Sequence, residues 1–217
     1  DLNAPWANGM TFSLWFNPNE LISTSSGKCQ SEHCILMSKL NDADNYFYLR
    51  FEDTAPGGQL WWRFKSTTDG EWNVRTDIDS WSSDTWYNVM GVYDPNGVDG
   101  GSKEFILFVD GPEICSNCEA DPSDWMEDGA EDPLFFGWID QGNFQEFDGR
   151  IDEVGFWNRS LTPAERAAVY NNDNGRYYSQ FGDSVGATDV EFYYGNVNAT
   201  APDYTDPTLW GGPYSPL

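Results

Sequence analysis

The sequence predicts an all-β protein: two antiparallel sheets packed as a sandwich, with one short helix near the C-terminal end. Three observations carry this. Short β-prone runs recur along the chain, each closed by turn residues. Aromatic residues make up 17% of the chain and Trp occurs 11 times, side chains that suit the space between two sheets. Only one segment, 163–170, combines helix start and stop signals.

The expected strands are 11–16, 34–40, 46–52, 59–64, 72–76, 86–93, 103–109, 133–139 and 150–157. Turn chemistry bounds them at Asn17-Pro18-Asn19, Asn41-Asp42, Pro56-Gly57-Gly58, Asp69-Gly70, Asp94-Pro95-Asn96-Gly97 and Asp110-Gly111. Spacing this short favours a sandwich over a βαβ sheet. In the run 103–109 both alternating sets, Phe105, Leu107 and Val109 against Ile106 and Phe108, are apolar. That implies burial on both faces. For the helix, Thr162 is the N-cap, Pro163 the first helical residue, and Glu165 completes a capping box. The helix stops in Asn171-Asn172-Asp173-Asn174-Gly175. The acidic stretch 112–132 is long for a connection, so it reads as functional or disulfide-pinned. Residues 188–194 form one further candidate strand, and no internal repeat is evident.

The segment from Phe147 to Tyr170, FDGRIDEVGFWNRSLTPAERAAVY, resembles the closing strand and helix of laminin-G-like domains. These are the concanavalin A-like jelly rolls that include the pentraxins. Thr11 to Phe16 is similar to that family's first core strand. Trp86 through Asp94, and Phe105 through Val109-Asp110-Gly111, are similar to two later ones. The resemblance spans residues 10–171 and implies a jelly roll over 1–178, followed by an aromatic, Pro- and Gly-rich extension over 179–217. Family members carry an edge strand before the first core strand. The chain opens on Asp1-Leu2-Asn3 without one, which suggests a mature or excised piece with an open sheet edge.

Eleven Lys and Arg stand against 36 Asp and Glu, a net charge of −25. Such a chain has no basic stripe for phosphates, so nucleic acid is excluded as a partner. No apolar run is long enough to span a membrane. The acidity fits either a solvated exterior surface or a calcium-binding one.

The four cysteines fall in two local pairs, Cys29 with Cys34 and Cys115 with Cys118. Each pair could close a small disulfide loop in an extracellular sandwich. The alternative is a four-thiolate zinc site, with His33 able to replace one thiolate.

Calcium takes six to eight hard oxygens from carboxylates, amides, carbonyls and water. Two loops supply them: Asp42, Asp44 and Asn45, and then Asp140, Gln141, Gln145, Glu146 and Asp148. The resemblance to pentraxins narrows the set to Asp44, Asn45, Asp140, Gln141 and Gln145 and implies calcium as cofactor. The departure is that no Glu-Gln-Asp triplet stands at 140–141. The competing reading makes the same residues ordinary turn formers. Asp152 lies within the closing strand, where a structural role outranks metal binding.

Sugars stack on exposed aromatics, and Trp61, Trp62, Trp72, Trp81, Trp125 and Trp138 are the candidates. Trp15, Trp86 and Trp157 read as core. Trp61 and Trp62 are adjacent in a strand, so they face opposite sides. No carboxylate string of glycanase type is present; Glu146 and Asp148 come nearest, but Arg150 and Ile151 follow. His33 is the one histidine, which leaves no triad. The chain therefore reads as no enzyme. Asn198 and Asn158 open N-glycosylation sequons.

The expected function is an extracellular, non-catalytic module in adhesion, secreted or at the cell surface. It recognises a glycan, an anionic group or an extracellular protein with calcium's help. The alternative is a structural subunit of a filament, sheath or adhesin that self-assembles through its tail or an open strand edge.

Overall fold

In the computed structural model the described residues are 9–23, 29, 33–42, 45–52, 58–66, 70–115, 134–138 and 144–172. In chain order the strands are β1 (Met10–Pro18), β2 (Ile22–Ser23), β3 (His33–Asp42), β4 (Asn45–Phe51), β5 (Leu60–Ser66), β6 (Gly70–Arg75) and β7 (Ser80–Trp81). They continue with β8 (Tyr87–Tyr93), β9 (Phe105–Val109), β10 (Leu134–Phe136), β11 (Phe144–Glu146) and β12 (Gly149–Trp157), and end in helix α1 (Pro163–Tyr170).

A four-stranded sheet in the order β12-β1-β8-β9 faces a sheet ordered β10-β3-β4-β5-β6, to which β11 adds beside β3. The expected sandwich is present, antiparallel throughout except where β11 joins β3 in parallel. The expected runs all appear, with ends shifted by a few residues. The sequence pattern missed β2, β7 and β11, which are too short to show a period.

β1 is buried along its whole length because it lies between β8 and β12. The first described strand is thus no open edge, contrary to the expectation. Among the described residues the four-stranded sheet ends in β9 and β12, and β12 is bulged between its pairings with Ser13 and Trp15. Glu153 stands there at φ 48°. A bulged, charged edge resists addition of a further strand.

The core fills with rings. Phe12 meets Trp62 edge-on at 5.0 Å, Trp62 meets Phe105 at 5.2 Å, and Phe16 packs on Phe51 and Trp81. Phe12 also needs Gly91 opposite it, since a Cβ there would come within 2.2 Å of the ring.

α1 forms as its local sequence dictates. The Thr162 hydroxyl accepts from the Glu165 N–H, the Glu165 carboxylate accepts from the Thr162 N–H, and Asn171 ends the helix in the left-handed region. The helix lies over the outer side of the four-stranded sheet. Tyr170 stacks on Trp15, and the Arg166 guanidinium sits 4.4 Å from the Phe108 ring. That cover explains why Ile106 and Phe108 are buried although they point away from the core. No described helix is long and apolar enough to cross a membrane.

Cys29 and Cys34 form a disulfide, with Cα atoms 5.3 Å apart. Cys115 is also disulfide-bonded, to a partner outside the described residues. Three cysteine sulfurs committed in this way exclude the four-thiolate zinc site. Cys118, the extension 179–217 and the candidate strand 188–194 lie outside the described residues.

Candidate functional site

The outer side of the six-stranded sheet is built by simple alternation. Phe47, Leu49 and Phe51 of β4 and Trp62 and Phe64 of β5 point into the core. Their neighbours Tyr46, Tyr48, Arg50, Trp61 and Arg63 must therefore point outward. The register sets Tyr48 opposite Arg63, Arg50 opposite Trp61, Trp61 opposite Arg75 and Arg63 opposite Asn73. Residues opposite one another share a face. Aromatic and ionised side chains thus form one continuous patch.

The contacts within it are dense. Tyr46 and Tyr48 stack at 4.8 Å with planes 9° apart. The Arg50 guanidinium lies 4.8 Å from the Tyr48 ring and donates to Glu52 at 2.9 Å. Tyr46 donates its hydroxyl to Glu71 at 2.6 Å, and Arg63 pairs with the other Glu71 oxygen. The Arg75 guanidinium sits 5.4 Å from the Trp61 ring. Tyr46, Tyr48, Arg50 and Glu52 are buried, while Trp61, Arg63 and Arg75 are half-buried and Glu71 is exposed at the margin.

Burial, and then the hydrogen bond to Glu71, push the Tyr46 phenol far above its usual range. Burial also opposes charge on Glu71, but the bonds from Tyr46 and Arg63 outweigh it and hold the carboxyl below the usual range. Burial likewise opposes charge on Arg63, and Glu71 outweighs it. The patch is thus fixed as phenol, carboxylate and guanidinium at neutral pH. Buried donors are left without an acceptor on this face, Trp61 Nε1 and Arg63 Nε among them, as they also are in the core at Trp62 Nε1. Such donors are costly unless water or a ligand oxygen meets them.

The structure sorts the tryptophan candidates. Trp62 and Trp81 are fully buried, and Trp72 packs against the core, so these do not stack on sugars. Trp138 is 40% exposed and meets Phe135 edge-on at the β10 edge. Trp125 lies outside the described residues. Trp15 and Trp157 are core as expected, but Trp86 is not: it precedes β8 and stays 39% exposed. The burial of Tyr46, Tyr48 and Arg50 was missed too. Its signal was the alternation Tyr46, Tyr48, Arg50, Glu52 against Phe47, Leu49 and Phe51, which leaves a face neither apolar nor simply charged.

Of the proposed calcium ligands, only the backbone of Asn45 and Gln145 is described. Asp44, Asp140 and Gln141 lie outside the described residues. On the described backbone, Asn45 pairs with Asp42 at one end of β3, and Gln145 pairs with Cys34 at the other. Eight residues of strand separate the two ends, about 26 Å at roughly 3.3 Å per residue. Calcium–oxygen bonds are about 2.3–2.6 Å, so Asn45 and Gln145 cannot hold one ion together. Among the described residues no cluster of three His, Cys, Asp or Glu side chains could hold a metal. Asp152 is exposed and accepts from the Glu153 N–H at 2.8 Å, a cap on the β12 bulge. Asn158 is exposed in the turn after β12, and Asn198 lies outside the described residues.

A family model of laminin G type, described as the concanavalin A-like lectin/glucanases superfamily, matches residues 1–165. No curated protein matches the chain. Among solved structures, the binding domain of Paraclostridial Mosquitocidal Protein 1 aligns with a TM-score of 0.57 at 17% identity. The alignment covers 78% of this chain and 38% of that one. The native heptameric SAP-like pentraxin from Limulus polyphemus aligns at 0.52 and 14% identity, over 78% and 72%. A Trypanosoma rangeli sialidase in complex with 2,3-difluorosialic acid aligns at 0.50 and 12% identity, over 77% and 24%. The chain therefore spans less than half of the toxin domain and about a quarter of the sialidase. At these identities the likeness is one of fold. Taken with the family match across most of its length, it shows that the chain belongs to the concanavalin A-like lectin/glucanases superfamily.

Proposed function

We propose that the chain is a non-catalytic, extracellular module that recognises a glycan in adhesion, with the outer side of β4, β5 and β6 as its contact surface. The observation that carries the reading is the patch itself. Trp61 offers part of its ring, Arg63 part of its guanidinium, and Glu71 a carboxylate at the margin. Saccharide hydroxyls both donate and accept, and their C–H faces pack on aromatic rings. The stacked tyrosines and the Arg50–Glu52 pair hold this surface stiff from below. The disulfide at Cys29 supports an oxidising exterior.

A binding role is preferred over hydrolysis. A glycosidase needs one carboxyl kept protonated as the acid, whereas Glu71 is held ionised. The sialidase likeness covers a quarter of that enzyme and is one of fold. Self-assembly by strand addition is disfavoured by the bulge in β12.

Calcium assists recognition in this reading, from one end of the six-stranded sheet. The turn holding Asp44 and Asn45, and the run holding Asp140, Gln141 and Gln145, are separate ligand sets. Calcium that binds only the native state raises stability with concentration. Asn45→Ala or Gln145→Ala, but not both, is expected to abolish a rise in melting temperature at millimolar calcium.

The experiment for the function itself is a glycan array with the full chain, run with calcium and with chelator, alongside Trp61→Ala. Retained folding with a tenfold or greater loss of the strongest glycan signal supports the reading. An array with no glycan signal in either buffer would falsify it.

A further inference from the structure

Three strand ends meet at one rim of the four-stranded sheet. Pro18 at the end of β1 pairs with Gly149 at the start of β12, and Phe16 pairs with Tyr87 at the start of β8. The approach is close: a Cβ on Gly149 would fall 2.3 Å from the Asn17 carbonyl oxygen. This rim presents Trp86, 39% exposed. The Arg150 guanidinium lies 5.4 Å from the Trp86 ring centroid. It is positioned by a hydrogen bond from Nη2 to Asn17 Oδ1 at 3.0 Å. Asp84 Oδ1 stands 3.8 Å from the same nitrogen, too far for a hydrogen bond. The Asp84 turn is tied down by its own N–H, which donates to the Pro18 carbonyl at 2.8 Å. Beside it, Asn19 Nδ2 donates to Asp148 Oδ1 at 2.8 Å.

Arg150 differs from three other described arginines. Arg63, Arg159 and Arg166 each close on a carboxylate through hydrogen bonds. Arg150, in a chain with 36 carboxylates, gives one of its five N–H donors to an amide oxygen and stays 53% exposed. Asp84, 80% exposed, forms only a loose ion pair with it at 3.8 Å, without a hydrogen bond. Folding thus leaves a donor group and an acceptor group less than 4 Å apart, both in water, next to an exposed indole. A vicinal diol on a pyranose has the matching pattern, one hydroxyl accepting and its neighbour donating, with an apolar C–H face alongside.

We propose that this rim is a second saccharide contact, and that its ligand is a neutral sugar. Trp86 takes the C–H face of the ring. Arg150 donates to one hydroxyl, and Asp84 accepts from the adjacent one. Asp84 stands beside the guanidinium, Asp148 is held on the same rim by Asn19, and the chain carries −25, so a carboxylate or sulfate on the sugar meets repulsion that a hydroxyl does not. The nature of the ligand rests on the glycan reading above; the surface is a different one, built on the other sheet.

The test titrates the full chain by calorimetry with neutral gluco-, galacto- and manno-oligosaccharides and with hexuronate oligomers of the same length. The variants are Trp86→Ala, Arg150→Gln, Asp84→Asn and, on the other face, Trp61→Ala. All four positions are at least partly accessible, and melting curves confirm folding. The expected result is a tenfold or greater loss of affinity for the best neutral ligand in Trp86→Ala, and at least threefold in Arg150→Gln and Asp84→Asn. Wild-type affinity in all three rim variants, with loss confined to Trp61→Ala, overturns the rim site and leaves the function standing. Tighter binding of hexuronates than of any neutral oligomer, lost in Arg150→Gln, overturns the ligand class. Absence of binding by the wild-type chain overturns both.

Discussion

The outer sides of the two sheets are finished in different ways. On the four-stranded sheet α1 acts as a lid, and its polar groups are closed in pairs. Arg166 donates to both oxygens of Asp99, at 3.1 and 2.6 Å, and to the Leu161 carbonyl at 2.6 Å. Three of the five N–H donors on that arginine thus have strong acceptors, and its plane rests on Phe108. On the six-stranded sheet rings and charges are also paired, yet donors are left over at Trp61 Nε1 and Arg63 Nε. A face that exists for packing satisfies its own polar groups. A face that sets half-buried rings beside ionised groups, with a carboxylate exposed at its margin, keeps surface that an arriving ligand can reach. That contrast supports the contact surface proposed on the outer side of β4, β5 and β6.

Removing the joint between the sheets gives the largest effect and calibrates the rest. Trp62 is fully buried and touches Phe12 of one sheet and Phe64 of the other. Trp62→Ala is expected to cost about 3–5 kcal/mol, as large-to-small core substitutions do, read by urea unfolding. Arg166→Met comes next, at about 1–3 kcal/mol for the lost charged hydrogen bonds; Asp99 is 40% exposed, so water solvates it once its partner is gone. Tyr46→Phe removes one hydroxyl from Glu71 and is expected to cost about 1 kcal/mol. Should Tyr46→Phe match Arg166→Met, the six-stranded face is as structural as the helix-covered one, and the contrast between them fails.

The same contrast marks what the sequence could reveal. The capping box at Thr162 and Glu165 is a local signal, because the residues that make it are three apart and need no distant partner. Strand alternation is nearly as local, and the double-sided apolar pattern at Ile106 and Phe108 already announced a cover. Trp86 defeated the same logic. It adjoins a buried strand, but its direction is set by where β1 and β12 end, which no window of sequence contains. The distance between Asn45 and Gln145 was hidden for a related reason. Spacing showed oxygen-rich turns at 44–45 and 140–145, but the parallel pairing of β11 with β3 decides which end of the sheet each occupies. The Tyr46, Tyr48, Arg50 pattern was visible, but the Glu71 that locks it comes from β6, two strands away.

The smallest effect tests whether the helix-covered side is held by charge or only by shape. Glu165 accepts two hydrogen bonds from Arg159, at 2.9 and 2.7 Å, and others from Thr162. The Arg159 bond, then the Thr162 N–H, pull its carboxyl down to about 2 from an ordinary 4.5. A carboxyl whose folded value is depressed stabilises above its unfolded value. That contribution is lost as pH falls from about 4.5 toward 2. Both side chains are about one-third exposed, so water screens the pair and its net worth stays near or below 1 kcal/mol. The wild-type curve alone is ambiguous, since protonating 36 acidic groups also relieves repulsion in a chain of charge −25. The difference between wild type and Glu165→Gln removes that shared background. It is expected as a small loss at pH 7 that closes by pH 2–3. A difference that persists unchanged at pH 2 means the side chain works by filling its place in the capping box, with the Arg159 charge contributing nothing.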